Sequence, residues 1–316
     1  MEITTFAPVI IPTLNRFEHF RRCVESLAKC THADKTELVI GLDYPPSEKY
    51  VDGWKKICDY VPSIKGFKKV TVLKREMNYG VGLNNKGLKA YVREHYDRFI
   101  YTEDDNEFSP NFLDFINKGL EAYKDDPKVF GICGCNYVQI DMAGYSKEYF
   151  FAHEMNSWGW GSWFNEKCDK LNQRVRKPGY LTELVRDVPF LTFVKDSTKR
   201  CNLLWEIGLE FRGDGYYTYY EWNNDMYCLF PTVSLARNFG NDGTGLHCNA
   251  ITGDDPFANQ IIDNHTLFES NFDIPVEYDP IIRKKFKRFQ TENIKKRVKN
   301  VLLLIFMKLF VKIRHY

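Results

Sequence analysis

Arg98-Phe99-Ile100-Tyr101-Thr102-Glu103-Asp104-Asp105-Asn106-Glu107-Phe108-Ser109-Pro110-Asn111-Phe112 is the stretch on which the reading turns. Arg98–Thr102 is apolar, aromatic and β-branched, and predicts a strand. Three acids follow it without a break. Ser109-Pro110 then predicts a helix start, because Ser is a good N-cap and Pro is tolerated at the first helical position. In an open α/β sheet, ligands bind beyond the carboxyl ends of the strands, where these acids fall. Adjacent carboxylates repel one another and call for compensation. A hard divalent cation with oxygen ligands offers it, and its remaining positions can take phosphate oxygens. A solvated acidic turn ahead of a helix is the plainer alternative, since acids favour that end of the helix dipole.

Upstream, strand and helix patterns alternate. Phe6–Ile11 is an apolar strand that Pro12 is expected to end. Glu18–Lys29 carries Phe20, Val24, Leu27 and Ala28 at helical spacing. Glu37–Leu42 predicts a second strand, and Asp43-Tyr44-Pro45-Pro46 a turn. Ser47 can cap a helix reaching Val61. Lys69–Leu73 is a third strand, and Leu83–Glu94 a helix behind the Gly-rich Asn78-Tyr79-Gly80-Val81-Gly82. Downstream, a helix to Lys124 precedes the strand Val129–Cys133. This order predicts an α/β fold with a mostly parallel twisted sheet and helices on both faces. Residues 136–250 are irregular, with aromatic clusters at Trp158, Trp160 and Trp163 and at Tyr216–Trp222. Residues 250–280 predict loop.

The chain has 316 residues, 44% hydrophobic and 27% charged, which excludes wholesale disorder. Its nine Cys are odd in number and free of CxxC pairs, which argues against a disulfide framework or a zinc site. Net charge is +2, but residues 281–316 hold twelve Lys and Arg against one acid, a surplus of +11 that leaves −9 on residues 1–280. An acidic body with a basic tail points to an anionic partner at one end. The acidic body opposes nucleic acid as that partner. Phe286, Phe289, Ile294 and Val298 lie among the bases, followed by an apolar run made of Val301–Met307, Lys308 and Leu309–Val311. That run is about half the ~20 residues of a membrane span, so the tail predicts an interfacial helix on an anionic leaflet. A helix packed on the domain or on a dimer partner is the alternative. Met1–Thr5 lacks the basic start of a secretory signal. The expected place is therefore the cytoplasm, peripheral on the inner face of the cell membrane.

Polar groups converge on one rim of the expected sheet. Pro12, Asn15 and Arg16 follow the first strand, and Asp43 closes the second. Asn78, Gly80, Asn84 and Lys86 surround the third helix start, and Glu103, Asp104 and Asp105 close the fourth strand. The segment Glu103-Asp104-Asp105…Ser109-Pro110-Asn111-Phe112 resembles the "EDD…SP.F" element of nucleotide-sugar glycosyltransferases with the GT-A fold. The chain is especially similar to bacterial sugar transferases related to N-acetylglucosaminyltransferase I. Asn78-Tyr79-Gly80, Trp158-Gly159-Trp160-Gly161 and Arg237-Asn238-Phe239-Gly240…Asp242-Gly243-Thr244-Gly245…His247 extend the likeness, in order, over residues 6–248.

The resemblance implies a GT-A domain over 1–280. Its nucleotide-binding half would be 1–135 and its acceptor and catalytic half 136–250, with the basic amphipathic tail at 281–316. It implies Mn2+ or Mg2+ on Asp105 with His247 nearby. It places Asp104 by the ribose or donor sugar and Asp43 by the base, with Trp160 in the donor-binding set. The family's catalytic Asp falls on Asp214, where Gly213 and Tyr217 replace two flanking Trp; Glu206, Glu210 and Glu221 stand in reserve. The expected reaction is inverting transfer from a nucleotide-diphosphate sugar, UDP-linked, to a hydroxyl of a glycan or lipid-linked acceptor. The expected setting is bacterial surface polysaccharide, such as lipopolysaccharide. Growing negative charge on the leaving diphosphate needs a cation, and the attacking hydroxyl needs a base. A sugar nucleotidyltransferase is the rival, although Pro12–Arg16 is not the Gly-rich phosphate loop it would use. A degenerate, non-catalytic glycan-binding protein is the other. One arrangement would count against the metal: Asp105 buried in an ion pair with Lys or Arg and no cavity beside it.

Overall fold

The computed structural model describes residues 3–137, 140–167, 169, 214–245, 255, 257, 259–291 and 302. The alternating half folds as expected. Strands β1 (Val9–Thr13), β2 (Glu37–Leu42), β3 (Lys69–Lys74) and β4 (Arg98–Tyr101) pair in parallel, in the spatial order β3-β2-β1-β4. Helices α1 (Phe17–Leu27), α2 (Val51–Tyr60) and α3 (Gly80–Arg93) connect them. β2 is buried at every position, the mark of a strand covered on both faces.

Strand β1 runs through Pro12 rather than ending before it. Its pairing with β4 stops at Ile10–Tyr101. Ile10 O accepts from Thr102 N and Thr13 O from Asp43 N, so Pro12 faces the β4 side beyond that last pair. Its missing N–H leaves no ladder bond unmade. Helix α3 takes in Gly80–Gly82, the end of the Gly-rich stretch expected to precede it. Gly80, at φ +68°, turns the chain into its first residue.

Beyond β4 lie a short strand β5 (Asn106–Phe108) and helix α4 (Phe112–Ala122). Ser109 is not the N-cap of α4: Asn111 holds that place, and the Ser109 hydroxyl donates to Asn111 Oδ1 at 2.7 Å. β6 (Val129–Cys133) follows as expected. β7 (Tyr149–Ala152), β8 (Trp160–Trp163), β9 (Tyr227–Pro231) and β10 (Ala236–Asn238) were not legible. β8 enters the main sheet antiparallel between β4 and β6, and β9 and β7 complete the order β3-β2-β1-β4-β8-β6-β9-β7. β10 pairs antiparallel with β5 in a separate ribbon at the end of β4. Helix α5 (Asp214–Asn223) precedes β9.

The core lies on both faces of the sheet, one side built around Phe20, Ile40, Phe112 and Phe115, the other around Phe130, Phe150 and Phe230. Described residues 259–279 form no helix or strand, and Phe268 and Phe272 cover Phe115 from there. Helix α6 (Pro280–Thr291) opens the basic tail. Its Ile282 and Phe286 are buried in the core beside Phe150 and Tyr137. Phe286 therefore packs on the domain instead of facing a lipid interface. Arg283, Lys284 and Ile281 remain exposed. Most of the tail beyond Thr291 lies outside the described residues. No helix among the described residues is long and apolar enough to cross a membrane.

Candidate active site

The carboxyl ends of β1 and β4 meet at the acids. Thr13, the last residue of β1, donates its hydroxyl to Asp104 Oδ2 at 2.8 Å. Arg16, just ahead of α1, donates Nη2 to Asp104 Oδ1 at 2.6 Å and to Asp105 Oδ2 at 2.7 Å. Asn238, from β10, donates Nδ2 to Asp105 Oδ1 at 2.7 Å and to Asn106 Oδ1 at 2.9 Å. Phe239 N donates to Asp105 O. Both acids are buried. Burial pushes the Asp104 carboxyl above its usual range, and Asp105 alongside adds to this, against the pull of Arg16. Burial also works against the Arg16 charge, but the two carboxylates outweigh it and raise its pKa above the ordinary value.

The segment after β10 lies directly on Asp105. A methyl on Gly240 would stand 2.1 Å from Asp105 Oδ2, so only a glycine lets the backbone come this near. His19 of α1 fastens the same segment, with Nε2 3.2 Å from Phe239 O and 3.2 Å from Asp242 Oδ2. Thr13, Asn238, His19 and Asp242 were not expected to have these roles. Thr13 could have been read from its place at a strand end. Asn238 lies in the Arg237–Gly240 element of the resemblance, which marks the segment but not its partner Asp105.

The remaining rim residues are placed as follows. Asp43 is buried at the end of β2. Its Oδ1 accepts from Tyr44 N at 2.9 Å and Tyr79 N at 2.8 Å, and its Oδ2 from Asn78 Nδ2 at 3.3 Å. Asp43 thus pins the turn that starts α3, leaving Oδ2 as its less engaged oxygen. Asn84 is buried, donating Nδ2 to Gly41 O at 2.7 Å and accepting Arg75 Nε at 3.0 Å. That bonding ties α3 to β2. Lys86 is exposed on α3, and Gly80 is partly exposed. Pro12 precedes Thr13 and Asn15 lies two residues after it, and α2 abuts the Asn15 carbonyl through Gly53. Glu103 accepts from Ser157 Oγ at 3.4 Å. Trp160 is buried in the aromatic core, stacked on Phe130 with centroids 6.2 Å apart. Asp214 opens α5, but its side chain lies outside the described residues, as do His247, Glu206 and Glu210. Glu221 is fully buried against Cys228 Sγ.

The model of glycosyl transferase family 2 matches residues 9–183, from β1 across the acids and past β8. The chain belongs to this family. It is therefore a glycosyltransferase, and its sheet is the GT-A arrangement that the strand-end motifs implied. Membership sets the sugar nucleotidyltransferase rival aside. Among solved structures it is similar to the mannosyltransferase PcManGT from Pyrobaculum calidifontis in complex with GDP-Man and Mn2+. Identity there is 12%, over 70% of this chain and 69% of that one, with a TM-score of 0.38. It is also similar to TarS of S. aureus, at 14% identity over 72% of this chain and a TM-score of 0.35. This chain covers 36% of the length of TarS. No curated protein matches it.

A divalent cation fits this corner in kind. Carboxylate oxygens are its preferred donors. Asp104, Asp105 and Arg16 together leave one negative charge uncompensated, and Gly240 keeps side-chain bulk away from Asp105. Yet each Asp105 oxygen already has a protein partner. Among the described residues no three His, Cys, Asp or Glu are grouped to hold an ion. The ion pair that would count against the metal is present. Residues 246–254, the next along the chain from the segment that covers Asp105, lie outside the described residues.

Proposed function

We propose that this glycosyltransferase moves a sugar, with inversion, from a nucleoside-diphosphate sugar to a hydroxyl of a glycan or lipid-linked glycan. A UDP-linked donor and a bacterial surface polysaccharide product are the specific reading. One observation carries it: Thr13 and Arg16 from the β1–α1 turn and Asn238 from the end of β10 converge on Asp104 and Asp105 where an open sheet binds its ligand.

In this reading Asp105, with His247, would hold Mn2+ or Mg2+. When bound, the cation supplies positive charge for the leaving diphosphate. The chain does the rest. Asp43 and Asn78 orient the nucleobase, Asp104 the ribose or sugar, and Arg16 and Lys86 contribute charge at the diphosphate. The acceptor oxygen attacks the anomeric carbon as the bond from that carbon to the phosphate oxygen breaks. The bonding pair leaves with the diphosphate, and the hydroxyl proton passes to the Asp214 carboxylate. One base and one displacement give inversion. The exposed Arg283 and Lys284 at the start of α6, with the bases that follow them in the sequence, would attract an anionic leaflet.

Asp105→Asn tests the reading. The change keeps shape and removes charge, so turnover of UDP- and GDP-sugars with Mn2+ should fall by about 100-fold or more while the folded midpoint stays within a few degrees. Wild-type turnover in this variant would refute the metal assignment. Asp214→Asn should cost as much without changing Mn2+ binding.

A further inference from the structure

Arg16 holds both acids through one nitrogen. Nη2 bonds Asp104 and Asp105, whereas Nη1 is buried with no acceptor among the described residues. A guanidinium presents five donors in a planar fork and stays charged at any working pH. An unmade hydrogen bond from a buried charged donor is more costly than one from a neutral donor. Two carboxylates stand within reach, yet one arm of the fork goes unused. The surroundings of Arg16 are thus short of one acceptor.

The two acids also differ in how they are held. Asp104 has Thr13 besides Arg16, and Asp105 has Asn238 besides Arg16. Asn238 is itself fixed by Asn106 and by the β5–β10 ribbon. Asp105 therefore keeps a partner and a fixed place if Arg16 lets go. A second cation arriving at Asp105 Oδ2 would meet the guanidinium at close range. Like charges that near repel, so the two compete for one oxygen.

We propose that Arg16 exchanges partners during the donor cycle. Without donor it neutralises the acid pair. When a divalent cation reaches Asp105, Arg16 releases that carboxylate, keeps Asp104, and turns its unused arm to a diphosphate oxygen. Arg16 is then a positioning residue that couples cation binding to diphosphate binding, and the coupling is reciprocal. This rests on the metal reading of Asp105 above.

The experiment titrates Mn2+ alone into the full chain, following free Mn2+ by electron paramagnetic resonance. Calorimetry then measures binding of UDP, with GDP in parallel, in the presence and absence of Mn2+. Arg16→Gln should bind Mn2+ about tenfold or more tightly than the wild type, because the competing charge is gone. The factor by which Mn2+ strengthens diphosphate binding should fall about tenfold in the variant. Equal or weaker Mn2+ binding in Arg16→Gln overturns the exchange. Should that variant not fold, Arg16→Lys carries the test. One ammonium cannot hold both acids and keep a spare planar arm, so the Mn2+-to-diphosphate coupling should fall about threefold or more. Unchanged coupling there overturns the proposal as well. Asp105→Asn separates the two levels. If the wild type binds Mn2+ no better than Asp105→Asn, the metal reading fails and the exchange with it. If Mn2+ binding depends on Asp105 but not on Arg16, the exchange alone fails.

Discussion

Gly53→Ala reverses the usual sign of a glycine replacement in a helix. Gly53 is the third residue of α2, and elsewhere an Ala in a helix gains about 0.5–1 kcal/mol. Here the new methyl would stand 1.9 Å from Asn15 O, 2.9 Å from its carbonyl carbon and 3.2 Å from its Cα. Those atoms are backbone and cannot rotate aside. Either α2 retreats or the turn carrying Asn15 and Arg16 moves. Forced overpacking costs about 1–3 kcal/mol, so the net effect is a loss of about 1–2 kcal/mol after the propensity gain. The melting midpoint should fall by about 2–8 °C. Asn15 O also accepts the Phe17 N–H at the start of α1, so the Arg16 turn is disturbed too. Sugar transfer should therefore fall by more than the change in folded fraction explains. Gly82→Ala is the internal comparison. Gly82 is the third residue of α3, and a methyl there would meet no heavy atom within 4 Å, so the change should gain about 0.5–1 kcal/mol. Urea melts of both variants decide the matter. A Gly53→Ala protein as stable as Gly82→Ala would refute the close approach of α2 to the Arg16 turn.

Trp160→Ala should remove about 3–5 kcal/mol of stability, because it empties a core place beside Phe130 and Phe99. In the folded fraction, UDP affinity should stay within about twofold, measured by calorimetry below the melting range, if Trp160 serves the core alone; a larger loss would place it in the donor pocket. His153 gives a pH signature. Burial holds its pKa below the ordinary 6.5, against the Nδ1 bond to Met226 O at 2.7 Å. The unfolded chain then binds the proton more tightly. Stability should be full above pH 6.5 and decline as pH falls from there to the folded pKa. His153→Gln should flatten that decline in pH-dependent urea melts, and an unchanged slope would count against it. For the tail, truncation after Thr291 should leave soluble-acceptor transfer intact. It should also lower sedimentation with vesicles rich in anionic lipid, with about 1 kcal/mol lost per removed base near the surface. Equal sedimentation of both forms would refute the membrane role.

What the sequence revealed of the fold depended on how local the signal was. Arg98–Thr102, the acids and the helix after them form one continuous pattern, and strand and helix are both found there, although β5 lies between them and Asn111 rather than Ser109 caps the helix. Trp160–Trp163 does not, because its four residues are buried on both faces and show no alternation. Its place between β4 and β6 depends on partners such as Arg98, far along the chain. Asn238 meets Asp105 across 133 residues, a separation no spacing argument spans. The tail was read as one amphipathic unit. Its first turns instead bury Ile282 and Phe286, since an apolar stripe satisfies a protein core as readily as a lipid boundary.

The site was harder to read than the fold for a physical reason. Any polar group buried at a strand end must find a partner, whether ligand or protein. Asn84 finds Gly41 O and Arg75, so its presence on the rim reflects the joining of α3 to β2. Asp43 spends one oxygen on two backbone N–H groups and leaves the other less engaged. Arg16 is the opposite case, a half-buried charge whose buried Nη1 finds no acceptor among the described residues. In a folded chain the polar atoms still lacking partners distinguish a ligand-facing group from a structural one better than residue type does. By that measure the spare arm of Arg16, facing two acids one positive charge short of neutrality, is the point where this rim is built for something the described residues do not supply.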